Sequence, residues 1–273
     1  MPELPEVETT MRALRGRLVG RRVTGLVQRR PDIRFPLPAD LERRVVGRRV
    51  EGFGRRAKYI LWQLEPDLAM LLHLGMSGRL LFDGEPRGIH EHVTLSFDDG
   101  SVLRFVDPRR FGMLDLCEGG TAGLEAHRWL RHLGLEPLGP EFGGPALLAA
   151  FAGRRLALKV ALMDQRLVVG VGNIYASESL FRARLSPERP AGSLLPGEAE
   201  RLAGSVREVL EEAIAAGGSS LRDYVQADGE LGNFQRAFRV YDRGGEACVA
   251  CGTVVRRIVQ GARATYFCGS CQA

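Results

Sequence analysis

The chain has 273 residues with a formal net charge of +5, and 45% of its residues are hydrophobic. That length is enough for two domains with a sizeable core. No apolar run approaches the ~18 residues that a membrane-spanning helix needs, and the N-terminus lacks the apolar segment of a signal peptide, so we expect a cytoplasmic enzyme or binding protein without a membrane partner.

The positive charge is concentrated at the N-terminal end. Residues 1–60 contain 15 basic and 7 acidic side chains, so the remainder of the chain carries a small negative charge. Further arginines cluster near the C-terminus, including Arg256, Arg257 and Arg263. Such clusters suit a polyanion such as nucleic acid, although a solvated charged face gives the same pattern.

The first nine residues, MPELPEVET, place a proline and two carboxylates at the start of a predicted helix. A small second residue favours removal of Met1, which would leave Pro2 with a free secondary amine, a nucleophile near neutral pH. Glu3 and Glu6 lie beside that amine, and apolar residues recur at steps of three or four through Leu18. In the simpler interpretation, proline only starts the helix and the carboxylates complement its dipole.

The segment after this helix is typical of an antiparallel β-domain. Short runs rich in β-branched and aromatic residues are separated by Gly, Pro and Asp, and Asp99-Gly100 forms the turn of a hairpin. Without intervening helices, these runs predict a sandwich or barrel of about 120 residues. The predicted strands are VTGLVQ, RVEGFG, AKYILWQL, AMLLHLGM, RLLF, HVTLSF and VLRFV.

Three loops in this half carry chemistry that a plain β-domain does not need. GRRAKYI contains Lys58, HLGMSGR contains His73 and Met76, and DPRRFG presents Arg109 and Phe111 at a turn. An apolar side chain such as Met or Phe usually belongs to the core. Beside a basic surface it can instead be a wedge, because proteins that kink DNA insert apolar side chains between bases.

From about Gly119 the character of the sequence changes. A connector rich in Gly, Pro and Leu extends to residue 145 and contains one short predicted helix, LEAHRWLRHL. Helical patterns follow in PALLAAFAG, RLALKVALMD, NIYASESLFRAR and GEAERLAGSVREVLEEAIAAG, so the second domain is predicted to be mainly α.

The segment VVGVGNIYASE feeds a glycine-rich turn into a helix. It lacks the third glycine and the alternating strands of a dinucleotide-binding fold, which we therefore reject. Its backbone amides can still bind a phosphate, and Asn173 can cap the helix or donate to the same anion.

Residues 217–235 are polar and contain four glycines. Long loops of this kind in compact domains are often lids, although plain disorder is the alternative.

The C-terminus has the most specific spacing in the chain. Cys248, Cys251, Cys268 and Cys271 form C-x2-C-x16-C-x2-C, which predicts one tetrahedral zinc site. Two disulfides are the alternative, and a cytoplasmic protein disfavours them. The residues between the pairs predict a β-hairpin with Arg263 near its tip. Four cysteine ligands leave no open position for water, so we expect the zinc to be structural. Cys117 is left over and is expected to pack in the core.

These segments together resemble the bacterial formamidopyrimidine-DNA glycosylase family. The resemblance extends from Pro2 to Gln272 and rests on MPELPEVET, GRRAKY, HLGMSG, DPRRFG, VVGVGNIYASE and the four-cysteine finger. It implies an α+β fold in which an N-terminal antiparallel β-sandwich with an N-terminal helix precedes a helical domain of helix-two-turns-helix type and a zinc-finger hairpin. It also implies a monomeric base-excision repair enzyme, acting on the DNA of the nucleoid, that removes 8-oxoguanine and formamidopyrimidines from duplex DNA.

The same resemblance implies residue roles. Pro2 would attack C1′ of a flipped nucleotide and carry the sugar as an iminium through β- and δ-elimination, as a bifunctional glycosylase and AP lyase. Glu3 would assist opening of the sugar ring, Glu6 would order the helix, and Lys58 would lie near the lesion phosphate. The implied DNA contacts are His73, Met76, Arg109, Phe111, Lys159, Asn173 and Arg263, with Met76, Arg109 and Phe111 filling the vacated space and Arg109 facing the orphaned cytosine.

The resemblance divides the chain into four parts. They are a catalytic domain over 1–120, a linker over 121–145, a helical DNA-binding domain over 146–235 with a lesion-capping loop at 217–235, and a zinc finger over 236–273. Two other functions compete with this interpretation: an oxidised-pyrimidine glycosylase of the endonuclease VIII type, and a zinc-bearing DNA-binding protein without catalysis.

Overall fold

A computed structural model of the chain describes residues 1–84, 88–220, 227 and 229–272. They form two compact units. The first consists of Met1–Arg131 and Ala216–Asn233, and the second of His132–Ala215 and Phe234–Ala273. Among the described residues, no helix is both long enough and apolar enough to cross a membrane.

The first unit opens with helix α1 (Leu4–Leu18), as the spacing of its apolar residues predicts. Its buried face includes Val7, Met11 and Leu14, which pack into the core of this unit. A capping box starts the helix: the Glu3 side chain accepts from the backbone of Glu6, and the Glu6 side chain accepts from the backbone of Glu3.

Two four-stranded antiparallel sheets follow. The strands of the first sheet are β1 (Val23–Gln28), β5 (Arg79–Phe82), β6 (Glu91–Phe97) and β7 (Val102–Val106). Those of the second are β2 (Val50–Arg56), β3 (Tyr59–Leu64), β4 (Leu68–His73) and β8 (Met113–Glu118). The first sheet has the order β1-β6-β7-β5 and the second the order β2-β3-β4-β8.

The core of the first unit lies between the two sheets. Trp62 of β3 stacks on Phe97 of β6, with ring centroids 6.2 Å apart, and Phe105 of β7 is fully buried in the same cluster. Helix α1 packs against β2 and β3. The predicted antiparallel sandwich is therefore confirmed, including the hairpin that turns at Asp99-Gly100 between β6 and β7.

Three details of the first unit differ from the sequence prediction. Strand β8 and the short helix α2 (Leu41–Val45) were not predicted. The helix predicted over LEAHRWLRHL is wrong in position: helix α3 covers Gly120–Ala126 and ends where His127 becomes extended. Beyond it the Trp129 ring stacks on Tyr59, 6.2 Å away, so tertiary packing takes over from helical periodicity.

The second unit is mainly helical, as predicted. Its helices are α4 (Gly144–Phe151), α5 (Leu158–Met163), α6 (Asn173–Arg182) and α7 (Pro196–Ala215). A hairpin of β9 (Arg256–Gln260) and β10 (Arg263–Phe267) completes it. Phe181 of α6 packs in one buried cluster with Val255 and Tyr266 of the hairpin segment, so the hairpin is anchored on α6.

The two compact units group the chain differently from the four expected parts. Residues 216–233 belong to the first unit: the Ser219 amide donates to the Glu6 carboxylate at 2.8 Å, and the Phe82 amide donates to the Ala227 carbonyl at 3.1 Å. The cysteine-bearing segment belongs to the helical unit. Residues 221–226 and 228 of the expected capping loop lie outside the described residues, so that loop stays a prediction.

Candidate functional site

The N-terminal residues occupy a buried position at the start of α1. Pro2 is buried while Met1 is half exposed. One oxygen of Glu6 accepts a hydrogen bond from the Glu3 amide and the other accepts from the Ser219 amide, each at 2.8 Å. The structure thus brings Pro2, Glu3 and Glu6 together, and Glu6 joins the backbone of Glu3 to that of Ser219.

Lys58 lies in the turn that leads into β3, and His73 ends the neighbouring strand β4 of the second sheet. Arg56 pairs with Tyr59 across the turn, so Ala57 and Lys58 form a two-residue turn between β2 and β3. Ala57 adopts a positive φ of 53° there, and the Lys58 side chain is buried. Tyr59 in turn pairs with His73 at the end of β4.

The imidazole of His73 is neutral. Its removal from water, together with the positive charges of Lys58 and Arg34, lowers the pKa of His73 to about 3. Nδ1 accepts a hydrogen bond from the Gly75 amide at 2.9 Å, so the proton of the neutral ring resides on Nε2. His73 therefore presents a neutral N–H donor and not a cation.

The residues Met76, Arg109 and Phe111, called here the wedge residues, lie on two adjoining loops. Phe111 is 40% exposed and Met76 is partly exposed. The Arg109 guanidinium lies 5.2 Å from the centre of the Phe111 ring, a cation–π contact. The expected basic and aromatic tip of DPRRFG is therefore present.

Arg34 was missed by the sequence reasoning. Its side chain is exposed, its charge acts on His73, and its amide donates to the Gly112 carbonyl at 3.3 Å. The sequence signal is the basic run RRPDIR, which by itself shows only that Arg34 belongs to the positively charged N-terminal part. Arg34 thus adds a cation beside Lys58 and His73.

In the second unit, the Lys159 side chain is buried and not on the surface, where a direct DNA contact would place it. It is 1% exposed, and its ammonium donates to three oxygens: Asn173 Oδ1 at 2.5 Å, the Ala264 carbonyl at 3.0 Å and Thr265 Oγ1 at 2.8 Å. The lysine thus joins α5, α6 and β10. Its charge is directed into the protein.

Asn173 is held by its neighbours. Gly172 is the N-cap of α6 and Asn173 is the first helical residue, so capping, one of the two roles considered for Asn173, is wrong. The Asn173 side chain accepts from Lys159 and donates through Nδ2 to the Ala264 carbonyl at 3.0 Å. At this position an anion can accept from the second Nδ2 proton of Asn173, and the positive end of the α6 dipole favours it.

Arg263 lies where the sequence placed it, at the tip of the finger hairpin. It pairs with Gln260, leaving the two-residue turn Gly261-Ala262, in which both residues have positive φ. Its side chain is exposed, and the next residue along β10 supplies the carbonyl that Lys159 and Asn173 share.

The four cysteines form one metal-binding cluster. Their Sγ atoms all lie within 4.8 Å of one another, with Cys248 and Cys271 at 3.9 Å and Cys251 and Cys268 at 3.5 Å. Zinc–thiolate bonds of about 2.3 Å in a tetrahedron require Sγ separations of about 3.8 Å, whereas a disulfide requires about 2.05 Å. The cluster therefore fits zinc and excludes the two disulfides.

Four cysteines complete a tetrahedral site and leave no position for water or substrate. The protein therefore carries one structural zinc, which ties the turn at Cys248 to the end of β10. Cys117 lies apart from this cluster and is buried, as expected.

Comparison with known proteins extends over the whole chain. Three family models match it: the formamidopyrimidine-DNA glycosylase N-terminal domain over residues 1–114, the H2TH domain of the same glycosylase over 133–225, and the zinc finger found in FPG and IleRS over 245–273. Formamidopyrimidine-DNA glycosylases of Paracoccus denitrificans and Acidiphilium cryptum are 52% and 51% identical to it, with both chains fully covered in each case.

Solved structures give the same result. MutM (Fpg) of Thermus thermophilus matches with a TM-score of 0.88 and 43% identity, covering 99% of this chain and 98% of that one. A mutant of Lactococcus lactis Fpg, solved in complex with DNA containing Fapy-dG, matches with a TM-score of 0.90 and 32% identity, with 99% of both chains covered. The chain therefore belongs to the formamidopyrimidine-DNA glycosylase family of bifunctional DNA glycosylases and AP lyases.

Proposed function

We propose that the protein removes 8-oxoguanine and formamidopyrimidines from duplex DNA and then cleaves the strand, with Pro2 as the nucleophile. The observation that carries this proposal is the buried cluster of Pro2, Glu3 and Glu6, in which the Glu6 carboxylate binds the backbone amides of Glu3 and Ser219. A nucleophile has to be held in place to gain from proximity, and a freely moving terminus is not. Removal of Met1 provides the secondary amine.

The reaction starts with a bond from the Pro2 nitrogen to C1′ of an extruded nucleotide. The C1′–N bond to the damaged base breaks, and the base leaves with the electron pair and takes up a proton. Glu3 then protonates the ring oxygen O4′ as the sugar opens, so the nitrogen and C1′ become a cationic iminium.

The iminium is an electron sink for strand cleavage. Loss of a proton from C2′ expels the 3′ phosphate, and a second elimination expels the 5′ phosphate. Water then hydrolyses the iminium, releasing the sugar remnant and restoring the Pro2 amine. Each step uses only the amine, a carboxylate and water, so zinc takes no part in it.

Several groups of this chain are suited to hold the DNA backbone around the lesion. We assign to phosphates the Lys58 ammonium, the Nε2–H of neutral His73 and the exposed guanidinium of Arg263. The missed residue Arg34 adds a fourth donor, and Asn173 adds its remaining amide proton at the start of α6. Lys159 supports these contacts indirectly, by fixing Asn173 and β10.

The wedge residues fill the space that the extruded nucleotide leaves. Taking a base out of the stack costs a few kcal/mol, and side chains that replace it recover part of that cost. Phe111 is exposed at a tip for this purpose, and Arg109, stacked on it, faces the orphaned cytosine. The segment 217–235 acts as a lid over the extruded base. The protein works as a monomer in the cytoplasm, on nucleoid DNA.

Borohydride trapping on duplex DNA tests the proposal. The native protein, with its N-terminus checked by intact mass, should form a covalent adduct with an 8-oxoguanine duplex, and Pro2→Gly or a form that retains Met1 should lose it while keeping its helical content. Full strand cleavage by both altered forms would refute the role of Pro2. Preference for thymine glycol would indicate an endonuclease VIII type, and binding without an adduct would indicate a DNA-binding protein only.

A further inference from the structure

The two loops that carry the wedge residues are joined through a buried carboxylate. Asp107 is 0% exposed. One of its oxygens accepts from the Ser77 hydroxyl at 2.7 Å, and the other accepts from the Gly112 amide at 2.7 Å. Ser77 Oγ in turn accepts from the Arg109 amide at 3.1 Å. One side chain thus fixes the Met76 loop and both ends of the Arg109 loop.

The backbone of Asp107 is held from the opposite side. His92 of β6 is buried and donates through Nε2 to the Asp107 carbonyl at 2.8 Å. The Arg110 amide donates to the same carbonyl at 3.2 Å, which closes the turn below the exposed tip. Asp107 is therefore bound through its side chain and through its main chain.

Direct backbone contact keeps the two loops together. Gly75 has a φ of +67°, and a Cβ added there would lie 2.4 Å from the carbonyl carbon of Phe111. No residue with a side chain fits at this point without moving the other loop. The two loops therefore behave as one body whose internal hydrogen bonds run through Ser77 and Asp107.

A core position alone does not explain this arrangement. Burying a carboxylate costs several kcal/mol unless its oxygens are hydrogen-bonded, and an apolar residue would fill the same volume without that cost. Here the donors of the carboxylate belong to the two loops, and the wedge residues Met76 and Phe111 directly precede the donor residues Ser77 and Gly112. The network is placed where it sets their spacing.

We propose that Ser77 and Asp107 are positioning residues that hold the wedge residues at the separation needed to replace an extruded nucleotide. The inference rests on the proposed function and deepens it. Without the Ser77 hydroxyl, the Arg109 amide loses its buried acceptor and Asp107 loses its bond to the Met76 loop. The packing of Gly75 on the Phe111 backbone is then left to hold the two loops together. The rate of excision from duplex DNA should then fall, because the duplex has to be opened. The preference for cytosine over adenine opposite the lesion should fall as well.

The test compares Ser77→Ala and Asp107→Asn with the native protein in two reactions. One is single-turnover excision of 8-oxoguanine opposite cytosine or adenine in a duplex, and the other is borohydride trapping on a single-stranded oligonucleotide with an abasic site, which has no stack to open. We expect Ser77→Ala to lower the rate of duplex excision at least ten-fold more than it lowers the rate of single-strand trapping. We also expect the ratio of the excision rates opposite cytosine and opposite adenine to decrease at least three-fold. Asp107→Asn keeps the shape of the side chain and one acceptor oxygen, so its excision rate and its cytosine-to-adenine ratio should lie between those of Ser77→Ala and those of the native protein.

Ser101→Ala is the matched control. Ser101 is also buried and donates to an aspartate, Asp99, at 2.6 Å, but in the turn of the β6–β7 hairpin. It should change neither ratio. Equal losses of duplex excision and single-strand trapping in Ser77→Ala would assign Ser77 a general structural role and overturn the inference, and so would unchanged duplex excision with an unchanged base ratio. Failure of the native protein to trap either DNA would instead refute the proposed function.

Discussion

Glu6 and Ser219 are joined by a hydrogen bond of 2.8 Å from the Ser219 amide to the Glu6 carboxylate, across 213 residues of sequence. The second oxygen of the same carboxylate accepts from the Glu3 amide. A single buried anion thus connects the N-terminal cluster with the first residues of the segment assigned as a lid. Both bonds are charge-assisted and buried, where such bonds are strongest.

Glu6→Gln should therefore disturb both ends of this connection. The amide keeps one acceptor oxygen for two backbone donors, so we expect a loss of about 1–3 kcal/mol in the free energy of unfolding. We also expect about a ten-fold decrease in the rate of borohydride trapping, because the N-terminal cluster is less fixed. Thermal unfolding and trapping on an abasic duplex measure the two effects.

Glu8→Gln is the control for this prediction, because Glu8 lies on the same helix and its carboxylate pairs with Arg12 and Arg55. Burial tends to raise the pKa of Glu8, but hydrogen bonds from Arg55 and Arg12 outweigh it and lower that pKa. Its loss should reduce stability without slowing trapping. If Glu8→Gln slows trapping as much as Glu6→Gln does, the connection to Ser219 has no special role.

Lys159 gives a prediction that separates direct from indirect contact with DNA. Each phosphate that a cation neutralises contributes about 0.9 to the slope of log Kobs against log salt concentration. Because Lys159 is buried on three protein oxygens, Lys159→Met should weaken DNA binding several-fold and leave that slope unchanged. Binding isotherms at four or more salt concentrations give both quantities.

The matched variant for Lys159 is Arg263→Gln, at the exposed tip of the hairpin. Its affinity should also fall, but with the slope reduced by about 0.9, as expected for a lost phosphate contact. A reduced slope in Lys159→Met would show that the ammonium reaches the DNA after all, and would contradict the buried arrangement.

The sequence predicted most elements and the zinc site because local spacing determines them. The periodicity of α1, the hairpin at Asp99-Gly100 and the C-x2-C pairs are all readable within about twenty residues. It did not predict the burial of Lys159, since its three acceptors come from α6 and β10 and depend on the fold. For the same reason it missed Arg34, whose proximity to His73 arises from the packing of a loop against Gly112.

Zinc removal should affect more than the finger itself. The Ala264 carbonyl and the Thr265 hydroxyl, both on β10, accept from Lys159, so loss of the metal releases that ammonium as well as the hairpin. We expect Cys268→Ala to increase amide hydrogen exchange over residues 245–272 and at the start of α6, and to weaken DNA binding. Cys117→Ala, a buried cysteine outside the cluster, should retain one zinc per chain and native exchange. If the amides at the start of α6 remain protected from hydrogen exchange after zinc is lost, the proposed coupling between the metal site and Lys159 is contradicted.

His73 provides a prediction for pH. Desolvation, with the charges of Lys58 and Arg34, lowers its pKa to about 3 in the folded protein, whereas the unfolded chain has a pKa near 6.5. Between these values the unfolded state binds the additional proton, so stability is fully present above pH ~6.5 and is lost as pH falls toward 3. The loss approaches about 1.4 kcal/mol per pH unit for one group.

His73→Asn isolates this contribution, because asparagine can still accept from the Gly75 amide but does not titrate. The measurement is the difference in unfolding free energy between the native protein and the variant, by urea denaturation at several pH values from 8 to 5. Other groups cancel in that difference. The difference should be constant above pH 7. Below pH 6.5 the unfolding free energy of the native protein should fall relative to that of the variant. A difference that stays flat down to pH 5 would mean that His73 takes up its proton equally in both states, which would contradict the lowering of its pKa by burial and by Lys58 and Arg34.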